Sequence, residues 1–196
     1  MKTSINRRSF LRTNFALALA AGAFPSIIPA SALGRAGKAA PNSRIAVGCI
    51  GTGPQGRGVM NGFLSQADAQ VVAVCDVKTD QLELARAAVN ARYQNSDCMG
   101  SGHFDKLLAR QDIDAVLIAT PLYMHYPVTR DALLAGKHVF CEKSLVFTPE
   151  EVHALRKLAN EKTNLTLQVG LQRRYSKFYQ TAKQMIQKGM LGKVTH

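Results

Sequence analysis

Three groups of residues in this sequence have types and spacing suited to chemistry. The first is Gly51-Thr52-Gly53-Pro54-Gln55-Gly56, a Gly-x-Gly-x-x-Gly run placed directly after the apolar stretch Ile45 to Ile50. Glycines there let the chain turn tightly and let backbone N–H groups close on a phosphate at the positive end of a following helix, whose first turn suits Pro54. The same run also fits a glycine-rich turn with no ligand. Asp76 separates the two readings, because it ends the next apolar stretch twenty residues after Gly56, where a carboxylate can accept hydrogen bonds from ribose hydroxyls. Strand, glycines, helix, strand and acid in this register point to a bound dinucleotide. A carboxylate at that place repels a 2′-phosphate and favours NAD, while Lys78 close by offsets part of that repulsion and keeps NADP open.

The second group comprises Ala119-Thr120-Pro121 and Glu142-Lys143, which end two later apolar runs. In an open α/β sheet these ends lie along the crevice where the nicotinamide half of a dinucleotide would rest. A charged pair after a strand is otherwise a solvated strand end. The third group is less decided. Tyr123 and His125 follow Thr120-Pro121, as ligand contacts or as aromatic cover for the sheet edge; Arg173 and Arg174 are ligand contacts or the solvated start of a helix. Cys49, Cys75, Cys98 and Cys141 have no C-x-x-C spacing, so we expect no metal site and read the thiols as packing.

The elements that must position these groups alternate. Strands are expected at Ile45 to Ile50, Val71 to Cys75, Ala115 to Ala119, His138 to Cys141 and Leu165 to Val169. Helices are expected from the glycine turn to about Ser65, from Asp80 to Arg92, through Leu107 and Leu108, from Pro127 to Leu134, and near Phe178 to Lys188. Thr148-Pro149-Glu150-Glu151 opens a further helix with Thr148 as N-cap, Glu151 completing a capping box, and Val152, Leu155 and Leu158 on its apolar face. The alternation predicts a Rossmann-like α/β domain, a doubly wound and mostly parallel sheet over residues 44–170. A third strand belongs between Tyr93 and His103, but the polar, glycine-containing run there reads as loop.

The runs Ile113 to Pro121, Ala135 to Lys143 and Gln168 to Arg174, with His125 four residues after Pro121, resemble the Gfo/Idh/MocA oxidoreductases over about residues 44 to 196. The resemblance implies that Glu142 lies near the nicotinamide ribose and that Lys143 is the catalytic residue at the reacting carbon. Cofactor contacts are then expected from the glycine run, Asp76, Ala119, Thr120, Pro121, His125, Glu142, Lys143 and Arg173. Ser144 stands where the family usually has proline, so a rigid turn aiming Lys143 is not given by the sequence. In the family, a helix leads through a segment like Leu191 to Val194 into a second, α+β substrate domain. Here only Thr195 and His196 follow, so residues 171–196 are expected to be the connecting helix and start of a truncated second domain.

The implied activity is NAD(P)-dependent hydride transfer from a sugar or polyol hydroxyl, with this chain as the nucleotide-binding half. Family members that act as NAD-dependent glycosidases give one alternative, and a non-catalytic dinucleotide-binding module gives another. The full-length parent is expected to be a homo-oligomer, since family members associate through the second-domain sheet.

The N-terminus reads as targeting. Asn6-Arg7-Arg8-Ser9-Phe10-Leu11-Arg12 precedes an Ala-rich apolar stretch, no Asp or Glu occurs before Asp68, and Ala30-Ser31-Ala32 supplies a small-residue cleavage site. Residues 1–32 are therefore expected to be a twin-arginine signal engaging the export machinery, residues 33–43 a linker, and the location periplasmic. Pro25 and Pro29 break the apolar stretch, which argues against a stable membrane span. With the signal's Lys2, Arg7, Arg8 and Arg12 set aside, 21 basic residues face 13 acidic ones, a net +8 that favours anionic ligands. The bases are scattered without an aromatic-basic platform, so no nucleic acid is expected as partner.

Overall fold

The computed structural model describes residues 43–193; the expected export signal and all but the last residue of the expected linker lie outside the described residues. Six strands form one sheet: β1 Ile45–Ile50, β2 Ala69–Cys75, β3 Met99–Ser101, β4 Ala115–Ile118, β5 His138–Glu142 and β6 Leu167–Gly170. Their order is β3-β2-β1-β4-β5-β6 and every neighbouring pair is parallel. The helices are α1 Pro54–Leu64, α2 Thr79–Tyr93, α3 Phe104–Leu108, α4 His125–Leu134, α5 Pro149–Glu161 and α6 Lys177–Gln187, with a 3-10 turn at Leu122–Met124 leading into α4.

Parallel strands need crossover helices on both faces, so alternate residues of each strand enter different cores. From β1, Val47 and Cys49 join Met60 and Leu64 of α1, Ala85 and Val89 of α2 and Leu117 of β4. Ile50, with Val116 and Ile118 of β4, joins Leu107 and Leu108 of α3, Val128, Ala132 and Leu133 of α4, and Leu155 of α5. Each fully buried aliphatic side chain of this kind contributes about 1.5–3 kcal/mol. Gly48 lets α3 come close, since a Cβ there would meet Leu107 Cδ2 at 2.5 Å.

The expected loop between Tyr93 and His103 contains the missing strand after all. Met99–Ser101 pairs in parallel with Ala73, Val74 and Cys75, and the Asp76 N–H extends the pairing to the Ser101 carbonyl at 3.2 Å. Its three residues are too few to show a period of two, and Gly100 at its centre lies under Leu82 and Arg86 of α2. Helix α4 also starts two residues before the expected Pro127, whose missing N–H is tolerated in a first turn. The capping box of α5 forms as expected: Thr148 Oγ1 accepts from the Glu151 N–H at 3.3 Å, and the Thr148 N–H donates to Glu151 Oε2 at 3.1 Å.

Lys137, buried before β5, donates from Nζ to the carbonyls of Arg110 at 2.6 Å and Ile113 at 2.9 Å, tying the turn after α3 to the β5 entry. Helix α6 has no buried residue and exposes Phe178, Tyr179, Met185 and Ile186. No helix among the described residues is long and apolar enough to cross a membrane.

Candidate functional site

The strand order reverses direction between β1 and β4, and a cleft of about 580 Å³ opens at the carboxyl ends of the strands there. Gly51 and Gly53 from the turn after β1, Asp76 and Lys78 from the end of β2, and Thr120 and Pro121 from the end of β4 contribute to its wall. Pro54 is the first residue of α1, and no side chain caps that helix or places an acid in its first turn. Its N-terminal N–H groups therefore keep their positive end toward the cleft.

Each glycine of the turn does something different. Gly51 has φ +83°, and a Cβ on it would lie 2.6 Å from the Ala119 carbonyl and the Thr120 nitrogen. Gly56 lets α1 rest against the turn, because a Cβ there would stand 2.0 Å from the Gly51 oxygen. A Cβ on Gly53 would meet nothing within 4 Å. That open backbone beside a helix N-terminus is where an extended phosphate group can approach closely.

Asp76 is held from its own side of the cleft. Its Oδ2 accepts from the Thr52 N–H at 2.7 Å and lies 3.3 Å from Thr52 Oγ1, while Oδ1 accepts from the Lys78 N–H at 2.9 Å. Oδ1 retains a lone pair for a ligand hydroxyl. Thr52 is fully buried, so the second residue of the glycine run acts inward, fixing the acid instead of facing a ligand. Arg57 and Gln81 complete this corner: Arg57 Nη1 donates to the Thr52 carbonyl at 2.7 Å and also to Gln81 Oε1. Sequence reasoning missed both residues; the only signal was a polar residue inside the glycine run, within reach of the β2 acid.

Farther along the sheet, Glu142 is buried at the end of β5 and Lys143 beside it is exposed. Glu142 is thus no solvated strand end. Its Oε1 fits over Gly170, where a Cβ would come within 3.0 Å, and the carboxylate has no ion-pair partner among the described residues. The Lys143–Ser144 peptide is cis although Ser144 is not proline. Thr120 Oγ1 is buried without a hydrogen-bond partner.

Thr52, Gln55, Gly56, His125, Glu142, Lys143 and Arg173, all expected contacts, do not line this cleft. His125 is buried between the loops after β4 and β5, with Nδ1 2.7 Å from the Ser144 carbonyl and Nε2 2.9 Å from the Thr120 carbonyl. Both ring nitrogens face backbone carbonyls, so it positions the loop carrying Lys143 and is not part of the cleft wall. Arg173 lies outside the cleft, in a shallow groove beside α6, with its guanidinium 5.4 Å from the centre of the Tyr179 ring. Gln55 is exposed on the first turn of α1, and Tyr123 lines the cleft.

The four thiols are buried, and burial pushes all of them up: Cys75 to about 12, Cys98 and Cys141 to about 11, and Cys49 furthest. They are not nucleophiles at neutral pH. Among the described residues no group of three or more His, Cys, Asp or Glu is arranged to hold a metal ion.

The open Gly53 backbone, the fixed Asp76 carboxylate and the orphaned Thr120 hydroxyl make a donor and acceptor set that fits a dinucleotide. Comparison with known proteins points the same way. The chain is 32% identical over 209 residues to "Glycosyl hydrolase family 109 protein 2" of Shewanella sp. (strain ANA-3), covering 99% of this chain and 45% of that protein. It is 31% identical over 147 residues to "Inositol 2-dehydrogenase" of Rhizobium meliloti (strain 1021), covering 75% of this chain and 42% of that protein. The chain thus spans under half the length of these curated relatives. The crystal structure of scyllo-inositol dehydrogenase from Lactobacillus casei with bound NAD(H) and scyllo-inositol superposes with a TM-score of 0.70 at 29% identity, over 78% of this chain and 43% of that one. The family model GFO_IDH_MocA, described as "Oxidoreductase family, NAD-binding Rossmann fold", matches residues 45–171, the span of this sheet and its cleft. With strand order, glycine turn and β2 acid in agreement, this chain belongs to the Gfo/Idh/MocA oxidoreductase family and contains its NAD-binding Rossmann domain.

Proposed function

We propose that this chain is the cofactor-binding half of an oxidoreductase that oxidises a sugar or polyol hydroxyl, with NAD preferred over NADP. The observation that carries the reading is the Asp76 carboxylate, held by Thr52 and Lys78 N–H groups at the rim of a cleft that also contains the open Gly53 backbone. The inositol dehydrogenases among the relatives support a polyol as substrate.

Gly53 and the α1 N-terminus would hold the pyrophosphate, Asp76 the adenosine ribose, and Thr120 and Glu142 the nicotinamide end. When bound, NAD supplies the acceptor for hydride. Lys143, exposed at the end of β5 on a loop pinned by His125, would take the hydroxyl proton of the substrate. The test is a fluorescence titration of the chain lacking residues 1–32 with NADH and NADPH, beside Asp76→Ala. Saturable NADH binding that weakens in the variant supports the reading; binding of neither cofactor overturns it.

A second reading has its own support in the relatives named glycosyl hydrolase family 109: an NAD-dependent glycosidase, in which hydride leaves the sugar and returns to it. Release of aryl alcohol from an aryl glycoside by the full-length protein, with no net NADH formed, would favour it over the dehydrogenase. We also propose periplasmic export by the twin-arginine route, tested by cell fractionation after replacing Arg7 and Arg8 by lysine. Homo-oligomerisation of the full-length protein is tested by sedimentation.

A further inference from the structure

Arg57 is the first residue after the third glycine, and two acceptors set its place. Its Nη1 donates to the Thr52 carbonyl at 2.7 Å and to Gln81 Oε1. Gln81 stands in the first turn of α2 and lines the cleft, whereas Arg57 does not. The Gln81 amide is itself held: Nε2 donates to Asp80 Oδ2 at 2.7 Å. Thr52 Oγ1 sits 3.3 Å from both Asp76 Oδ2 and the Gln81 carbonyl. A part-buried guanidinium therefore lies one side chain behind the acid that faces the ribose, kept there by a neutral amide.

An arginine is the side chain best shaped to take a phosphate by two parallel hydrogen bonds. Here its fork is turned toward a backbone carbonyl and a glutamine oxygen. We propose that Gln81 and Arg57 form a second determinant of cofactor choice, beside Asp76: Gln81 withholds Arg57 from the ribose 2′ position, and loss of the Gln81 side chain turns Arg57 into a ligand for a 2′-phosphate. The inference rests on the dinucleotide reading of the cleft. It assigns the preference for NAD to a retained cation as well as to a repelling anion. Lys78, exposed at the cleft rim, is the other cation near that position and must be separated from Arg57 in the test.

The experiment is a fluorescence titration of the chain with NADH and NADPH for the unsubstituted protein, Gln81→Ala, the double variant Gln81→Ala/Arg57→Met, and Gln81→Ala/Lys78→Ala. One added charge-assisted hydrogen bond corresponds to about tenfold in affinity. Gln81→Ala is expected to improve NADPH binding relative to NADH by about that factor. The gain should vanish when Arg57 is also replaced and survive the loss of Lys78. If Arg57→Met does not fold, Arg57→Lys keeps the charge without the fork and must shrink the gain. An unchanged cofactor ratio in Gln81→Ala, or a gain that persists without Arg57, overturns the inference while leaving the dinucleotide reading intact. Binding of neither cofactor by the unsubstituted chain sinks that reading and the inference with it.

Discussion

Replacing Gly56 by alanine and, separately, Gly53 by alanine should separate the two duties of the glycine turn. At Gly56 the added methyl carbon would lie 2.0 Å from the Gly51 oxygen, 3.0 Å from its carbonyl carbon and 3.3 Å from Ala119 Cβ. Ordinary contact between such atoms is about 3.5 Å, so α1 or the turn must move by more than 1 Å. Overpacking against atoms that cannot swing aside costs about 1–3 kcal/mol, and the obstacle here is backbone, which favours the upper part of that range. The helical preference of alanine over glycine returns about 1 kcal/mol, leaving a net loss of about 2 kcal/mol. For a domain of this size that is a fall in Tm of roughly 4–8 °C. Gly53 has φ −61° and open space around its missing Cβ, so alanine there should change stability by less than about 0.5 kcal/mol. Its methyl group would instead occupy the approach of the pyrophosphate and weaken NADH binding. Calorimetric melting and NADH titration of both variants decide the matter. A Gly56→Ala protein that melts with the wild type, or a Gly53→Ala protein that binds NADH as well as wild type, would show the reasoning to be wrong.

Other outcomes follow from single contacts. Lys137→Met removes both hydrogen bonds to the Arg110 and Ile113 carbonyls and should cost about 2–3 kcal/mol in urea unfolding. His125→Phe leaves the Thr120 and Ser144 carbonyls without their ring partner, so hydrogen exchange should accelerate in the loop after Lys143 while the β1–β2 region stays protected. The raised thiols make stability fall with rising pH. Cys75, Cys98 and Cys141 remain protonated in the fold up to about 11–12, whereas in the unfolded chain they ionise near 9. The unfolded state therefore binds fewer protons above pH 9, and denaturation midpoints measured from pH 8 to 11 should decline across that window. In the same protein at pH 7.5, an aromatic disulfide reagent should label these cysteines only after unfolding.

The first βαβ unit was legible because its signals are local and mutually consistent: an apolar run, three glycines, a helix-starting proline and an acid at fixed distance. Strand β3 was not, because Met99-Gly100-Ser101 is held by its neighbour β2 and has no pattern of its own. The identity of the site residues was readable farther than their orientation. Thr52 sits in the middle of the glycine run yet turns inward to Asp76, and no spacing rule announces that. His125 opens α4 at the end of the expected loop, and its ring nitrogens face backbone carbonyls five and nineteen positions away, which side-chain types cannot reveal. Arg173 follows β6 as expected, and stacking on Tyr179 takes it along α6.

The strand order also governs when the cleft can exist during folding. β1 and β2 are joined through a single helix, but β1 reaches its other neighbour, β4, only across the chain from Val47 to Ala115, a register further fastened by the Ala46 N–H on Asp114 Oδ2 at 2.8 Å. Closing that long loop is entropically dearer and slower than forming the first βαβ unit. The wall supplied by Ala119 and Thr120 is therefore expected to form last, after the glycines and the acid are in place. On that expectation, dinucleotide has no complete site to bind before the sheet closes. It acts by mass action on the finished domain, so added NADH should slow unfolding and raise the final yield of refolding while leaving the refolding rate unchanged.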